Sequence, residues 1–199
     1  MSNSTYLDLK DILYHDNWID SRLADQAFDE LIKLPWKNEH IKMFGRMVKV
    51  PRKVIWIGDP GSDYMYSGVW HSPSPWPGCL QSIRSLVSEK CGCEFNSALL
   101  NLYENGRDYM GWHSDDEVEL GPEPCIASLS LGVSRRFLLK SKITDTKYEY
   151  VLNHGSLLVM KGKTQELYKH SLPKMLRVNK KRINITFLVS RGFKAHQSH

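Results

Sequence analysis

The chain has 199 residues, 41% hydrophobic and 25% charged, enough for one conventional core, which excludes a fibrous repeat or a wholly disordered chain. Its 27 basic against 22 acidic residues leave a formal charge of +5, which suits a polyanionic partner without singling one out. Cys79, Cys91, Cys93 and Cys125 are too few and too irregularly spaced for a disulfide scaffold, and Cys91-Gly-Cys93 lacks the second ligand pair of a structural zinc site.

Asp8, Lys10 and Asp11 near the N-terminus leave no apolar core for a signal peptide, and no stretch is apolar enough to span a membrane. An intracellular protein without a membrane contact is expected, working as a monomer. Residues 20–34 place Leu23, Ala24, Ala27, Phe28, Leu31 and Ile32 on one helical face, with Asp20 as cap and Pro35 as stop. The run 43–70, rich in Val, Ile, Trp and Tyr and broken by Pro51 and Gly58-Asp59-Pro60-Gly61, predicts hairpins, and 81–90 predicts a second helix. From 97 onward, strands are predicted at 98–103, 126–131, 136–140, 148–152, 156–160 and 182–189, a pattern that suggests a double-sheet barrel or jelly roll.

Trp112-His113-Ser114-Asp115 carries the strongest chemical signal, because two residues apart on an extended segment puts His113 and Asp115 on one face. A second histidine would complete a 2-His-1-carboxylate triad, the ligand set of non-haem iron(II) with open positions for cosubstrate and dioxygen. His154 and His170 are the realistic partners; His154 precedes Gly155 and reads as a turn residue, so His170 is the expected ligand. Alternation in the last strand puts Arg182, Asn184, Thr186 and Leu188 on one face, where Arg182 could hold the far end of a dicarboxylate or lie in solvent on a half-exposed strand.

Read together, Asn101-Leu-Tyr103-Glu-Asn, Trp112-His113-Ser-Asp115-Asp116-Glu117, Ile126-Ala-Ser-Leu-Ser-Leu-Gly132, His154-Gly-Ser-Leu-Leu, His170-Ser-Leu-Pro173 and Arg182-Ile-Asn184-Ile-Thr-Phe187 resemble the AlkB dioxygenases in order and approximate spacing. The likeness is closest to the branch that repairs methylated bases in DNA and RNA. It implies an α+β, mainly β fold: a double-stranded β-helix (jelly roll) with N-terminal helices packed on one sheet and a nucleotide-recognition lid of hairpins. One domain is expected, with helices and lid over 1–96, the catalytic core over 97–192 and a tail over 193–199.

The resemblance further implies Fe(II) held by His113, Asp115 and His170, and 2-oxoglutarate held by Asn101, Tyr103, Arg182 and Asn184, with O2 as oxidant. Oxidative demethylation of bases of the 1-methyladenine and 3-methylcytosine type would release formaldehyde, succinate and CO2. Tyr64 and Tyr66 resemble the substrate lid, Glu117 the acid that meets the damaged base, and Phe44 the residue that probes the base stack. Each aromatic has an ordinary structural reading as well. Arg52 and Lys53, with Arg46 and Lys49, would contact phosphates of the nucleic acid, methylated DNA or RNA. Leu188 departs from the family, which places a second arginine there beside the cosubstrate, so weaker cosubstrate binding is expected. The competing readings keep the oxygenase chemistry but move it to a protein or small molecule, or reduce the chain to a modified-base binder.

Overall fold

The computed structural model describes residues 9–43, 46–66 and 69–191, with the side chains of 41–43, 64–66 and 69–71 outside the description. Phe44 and the tail 193–199 therefore lie outside the described residues. A 3-10 turn at Leu9–Asp11 leads into strand β1 (Ile12–His15), absent from the predicted strands, which pairs with a distant strand. Helix α1 (Ser21–Leu31) follows as predicted: the Asp20 carboxylate accepts from the Leu23 amide at 2.9 Å, and Ala24, Ala27 and Leu31 form its buried stripe. Strands β2 (Lys37–Met43) and β3 (Arg46–Gly58) make a hairpin whose first strand lies ahead of the run 43–70 where hairpins were expected, and whose second runs through Pro51. Pro51 is tolerated within β3 because the ladder to β2 shifts register there, so its missing N–H interrupts no regular pairing.

A small ladder of β4 (Tyr64–Tyr66) and β5 (Val69–His71) precedes helix α2 (Gly78–Cys91), which is longer than predicted and ends on Gly92 in the left-handed region at φ 62°. The strand-rich half then runs β6 (Ser97–Tyr103), β7 (Met110–His113), β8 (Ile126–Gly132), β9 (Arg135–Ser141) and β10 (Lys147–Leu152). It continues with β11 (Ser156–Met160), the single-turn α3 (Thr164–Leu167), β12 (Tyr168–Leu172) and β13 (Arg182–Leu188). The sequence reading missed β7 and β12 as strands; both are short and carry polar or exposed residues where apolar alternation would mark a strand.

Two antiparallel sheets result, one ordered β1-β11-β8-β13-β6-β3-β2 and the other β10-β9-β12-β7, the layered arrangement of a double-stranded β-helix. Strand alternation divides the larger sheet. Ala98, Leu100, Leu102, Ala127, Leu129, Leu131, Ile183, Ile185 and Phe187 form one core with α1 and α2. Leu99, Tyr103, Leu158, Met160 and Leu188 face the smaller sheet and pack with its Phe137, Leu139 and Leu172. On that same inner face lie the buried polar residues Asn101, Ser128, Ser130, Arg182 and Asn184, so the space between the sheets is partly polar by construction. Among the described residues, no helix is long and apolar enough to cross a membrane.

Phe187 is fully buried with ring centroids 6.2 Å from Trp76 and 6.0 Å from Phe95. Phe187→Ala is expected to cost about 3–5 kcal/mol and to lower the melting temperature by roughly 10 °C. Val151→Ala, at a position 48% exposed, should shift it by no more than about 2 °C. Thermal denaturation followed by circular dichroism checks the pair, and equal shifts would contradict this division of faces.

Candidate metal centre and cosubstrate pocket

The smaller sheet assembles the ligands. Strands β7 and β12 pair so that His113 and His170 lie directly opposite each other, although 57 positions separate them in sequence. Asp115 follows two residues after His113, and two hydrogen bonds fix its backbone: Ser114 Oγ donates to Tyr168 O at 2.8 Å, and the Asp115 amide donates to Gln165 Oε1 at 2.9 Å. His113 Nε2 and His170 Nε2 each stand 3.5 Å from a different oxygen of Asp115, and the ligand atoms all lie within 4.8 Å of one another. Such separations are long for hydrogen bonds. They suit atoms sharing an ion, since ligands roughly 2.1 Å from a metal and about 90–110° apart lie about 3.0–3.5 Å from each other.

The rings are oriented for this. His113 Nδ1 lies 2.9 Å from Gly111 O, so that nitrogen carries the proton and Nε2 is left as the donor to a metal. His170, 5% exposed, stacks on Phe137 at 5.3 Å, and its Nδ1 is buried without a hydrogen-bond partner. Burial pushes His170 down to about 4 against the pull of Asp115, so it is neutral at physiological pH. For Asp115, burial acts to raise the carboxyl, but the neighbouring His170 and His113 rings hold it below the usual range. Burial also acts to lower His113, and its contact with Asp115 and the Gly111 carbonyl outweighs that and lifts it above the ordinary imidazole value. An ionised carboxylate and a neutral imidazole are the states a divalent ion requires.

The cavity beside these ligands brings together all four residues expected to hold the cosubstrate, Asn101, Tyr103, Arg182 and Asn184, together with Leu188 and Arg52. Arg182 is 1% exposed; its Nη2 donates to Ser130 Oγ at 2.9 Å and Asn184 Oδ1 at 2.8 Å, and its guanidinium stands 5.4 Å from the Tyr103 ring. Its Nε has no partner, and among the described residues no carboxylate pairs with it. Burial pushes the group down to about 10, which still leaves it charged. A buried cation without a counter-ion is costly to the chain alone and fits an anionic ligand. Asn184 is more committed than expected: its Oδ1 accepts from Ser128 Oγ and Arg182, and its Nδ2 donates to Thr186 Oγ1 at 2.7 Å.

Other expectations fare differently. Arg52, read as a phosphate contact, is 6% exposed and directed into the cavity, its Nε donating to Asn101 Oδ1 at 2.7 Å. The reason is alternation along β3, which sends Arg52 inward with Val50, Val54 and Trp56 and leaves Lys53 on the other side. Lys53 pairs with Glu104 at 2.7 Å, and Lys181 approaches the same carboxylate at 3.3 Å, so Lys53 is engaged within the chain. Glu117 is half-buried where the short 3-10 turn Val118–Leu120 begins. Tyr64 and Tyr66 sit on β4, their side chains outside the description. His154 has the turn role expected of it, its Nδ1 accepting from the Gly132 amide at 2.8 Å. Arg191 packs its guanidinium against Gly121 and does not line the cavity.

Arg135 escaped sequence reading altogether. Fully buried, it donates to the carbonyls of Asn105, Asp108 and Pro173 at 2.8–3.2 Å and stands 5.7 Å from the Tyr103 ring, tying the β6–β7 connection to the exit of β12. Its signal was an arginine in register with the inward row Phe137 and Leu139.

The donor set of two imidazoles and a carboxylate, the orphaned Arg182 nitrogen beside it and the polar face between the sheets all fit a divalent metal with an anionic cosubstrate. Comparison with known proteins agrees. The sequence model of the 2OG-Fe(II) oxygenase superfamily matches residues 11–187. Alpha-ketoglutarate-dependent dioxygenase alkB homolog 3 of Bos taurus is 38% identical over 181 residues, which cover 85% of this chain and 63% of that protein. DNA oxidative demethylase ALKBH2 of Homo sapiens is 39% identical over 176 residues, covering 82% of this chain and 67% of its own length. This chain therefore spans about two-thirds of the length of these curated relatives. A solved structure of OsALKBH1 superposes with a TM-score of 0.63 at 15% identity, covering 89% of this chain and 97% of that one, a likeness of fold alone. The cofactors that go with such a site are Fe(II), 2-oxoglutarate and O2. The chain belongs to the 2OG-Fe(II) oxygenase superfamily and, within it, to the AlkB family.

Proposed function

We propose that the chain oxidatively demethylates N-alkylated bases of the 1-methyladenine and 3-methylcytosine type in DNA or RNA, releasing formaldehyde, succinate and CO2. One observation carries the reading: three ligand atoms within 4.8 Å of one another open onto the same cavity as a buried Arg182 that pairs with no carboxylate among the described residues. The substrate class draws on the relatives, several of which carry the name DNA oxidative demethylase ALKBH2, those of human and Bos taurus among them.

In this reading His113 Nε2, His170 Nε2 and Asp115 would hold the ion, and Arg182 would anchor the far carboxylate of 2-oxoglutarate by a charge-assisted pair. When bound, the iron and cosubstrate supply the oxidising power: O2 and 2-oxoglutarate become succinate and CO2 as one oxygen atom enters a methyl C–H bond. The resulting N-hydroxymethyl group loses formaldehyde and leaves the base unmodified. The packed face formed by Leu99, Phe137, Leu172 and Leu188 limits water beside the reacting atoms. Glu117, two residues beyond Asp115, offers negative charge to a methylated, cationic ring. Tyr64 and Tyr66 supply the lid over the extruded base, and Phe44, with the exposed Arg46 and Lys49 of the β2–β3 hairpin, meets the nucleic acid around it.

Purified protein given iron(II), ascorbate and 2-oxoglutarate is expected to release formaldehyde from oligonucleotides containing 1-methyladenine or 3-methylcytosine. Asp115→Ala should lower turnover by at least about 10³-fold, since it removes the one anionic ligand. Turnover of 2-oxoglutarate with no change in any methylated oligonucleotide would remove the substrate assignment. Arg182→Met should raise the KM for 2-oxoglutarate roughly 100-fold, the loss of a charged pair worth about 3 kcal/mol, as read by initial-rate kinetics.

Metal affinity should depend on pH through one proton. Asp115 stays ionised and His170 stays neutral down to low pH, whereas the raised His113 must release a proton before it can ligate. Affinity is therefore full above the His113 pKa and falls about tenfold per pH unit below it. Titration with Mn(II), a redox-silent stand-in, followed by electron paramagnetic resonance at several pH values, measures this. A two-proton slope, or none between pH 7 and 5, would contradict it.

A further inference from the structure

Arg52 is a buried cation on the wall of the cavity. It reaches the space between the sheets from β3, on the far side of β6 from Arg182. Arg182 pairs with Tyr103 on β6, while Lys53 pairs with Leu102 and Val54 with Asn101. Extending that register by one residue sets Arg52 level with Tyr103. The two arginines thus flank one central strand, their backbones about 10 Å apart at two inter-strand spacings. Of the residues lining the cavity, these two bear its arginine charges.

The bond between Arg52 and Asn101 has a direction. A guanidinium has donors and no acceptor, so the oxygen of the Asn101 carboxamide must face Arg52, as the 2.7 Å contact from Nε to Oδ1 shows. The amide nitrogen is then turned the other way, and among the described residues nothing accepts from it. Asn101 is 6% exposed and lines the cavity, so those two N–H groups are directed to whatever anion the cavity takes. Strand β13 contributes a single cation, Arg182, to that cavity, because its next cavity-facing positions are the neutral Asn184 and Thr186 and the apolar Leu188. Arg52 also lines the same cavity as the ligands His113 and Asp115.

We propose that Arg52 is a positioning residue for the dicarboxylate cosubstrate: it locks the Asn101 carboxamide with both N–H donors facing 2-oxoglutarate and adds the second positive charge of the cavity. This rests on the dioxygenase reading above and adds to it a residue that acts through Asn101. It also accounts for an apolar Leu188 beside a dianionic ligand, since the second cation comes from a different strand.

Calorimetric titration of 2-oxoglutarate into Mn(II)-loaded, oxygen-free protein tests the idea without turnover. Arg52→Met and Asn101→Ala are each expected to weaken binding about tenfold. The double variant should be no more than about twofold worse than the weaker single one, because both remove one interaction. Mn(II) itself should bind Arg52→Met as tightly as the parent or more tightly, since a cation has been taken from beside the metal; a site merely loosened by the substitution would bind Mn(II) less well. Arg52→Lys, which keeps a charge and a donor, should recover most of the 2-oxoglutarate affinity and serves should the methionine variant not fold. In turnover, Arg52→Met should raise KM for 2-oxoglutarate while kcat stays within about threefold. Unchanged 2-oxoglutarate affinity in Arg52→Met, multiplying losses in the double variant, weakened Mn(II) binding, or a lysine variant that binds no better than methionine would each overturn the proposal. A parent protein that binds Mn(II) but not 2-oxoglutarate would overturn the dioxygenase reading along with it.

Discussion

The constraint on which the rest depends is electrostatic: Asp115, His113 and His170 point their donor atoms at one another without forming good hydrogen bonds. A chain gains little from such convergence by itself, because burial acts against the ionised carboxylate and two imidazole lone pairs repel. A divalent cation at the centre removes that conflict. The register of β7 against β12 makes the convergence unavoidable, since it sets the two histidines opposite each other before any ligand arrives. The Ser114 and Gln165 contacts then hold the aspartate backbone against the α3–β12 junction, and Gly111 fixes the His113 tautomer.

The two sheets divide the work of stability and chemistry. One face of the large sheet is a continuous apolar layer against α1 and α2. This frees the opposite face to hold buried polar residues: Arg182, Asn184, Ser128 and Ser130 link β13 to β8 side chain to side chain, and Asn101 on β6 is joined to Arg52 on β3. A partly satisfied polar network is a weakness in a core and an asset in a binding site, where the ligand completes it. Arg182 and Arg135 show the difference. Arg135 is tied to three backbone carbonyls and does not line the cavity, whereas Arg182 is held by the side chains of Ser130 and Asn184 and does line it.

How much of this was legible in the sequence follows from the range of the interactions. His113 and Asp115 were legible because their relation is local, two residues on an extended segment. Arg182 and Asn184 were legible because β13 alternates without interruption. The apolar helix stripe of α1 and its Asp20 cap were legible for the same reason of locality. Strands β7 and β12 were not, because pairing with β9 and with each other stabilises segments whose own pattern is short and polar. Strand β1 was hidden likewise, as an edge strand held by β11. Arg52 was misplaced because Arg46, Lys49, Arg52 and Lys53 looked like one basic cluster, when period-two alternation with Val50, Val54 and Trp56 already marked it as the inward one. The conflict between a charge and an apolar row was itself the clue to a functional position.

The central claim is that one metal ion and one dicarboxylate meet between these sheets. A crystal grown anaerobically with Mn(II) and 2-oxoglutarate, phased on anomalous scattering from the metal, examines it most directly. The account predicts a single strong peak about 2.0–2.2 Å from His113 Nε2, His170 Nε2 and an Asp115 oxygen, with the far carboxylate of the ligand against the Arg182 guanidinium. No metal peak at that point, or a ligand lying away from Arg182, would contradict it.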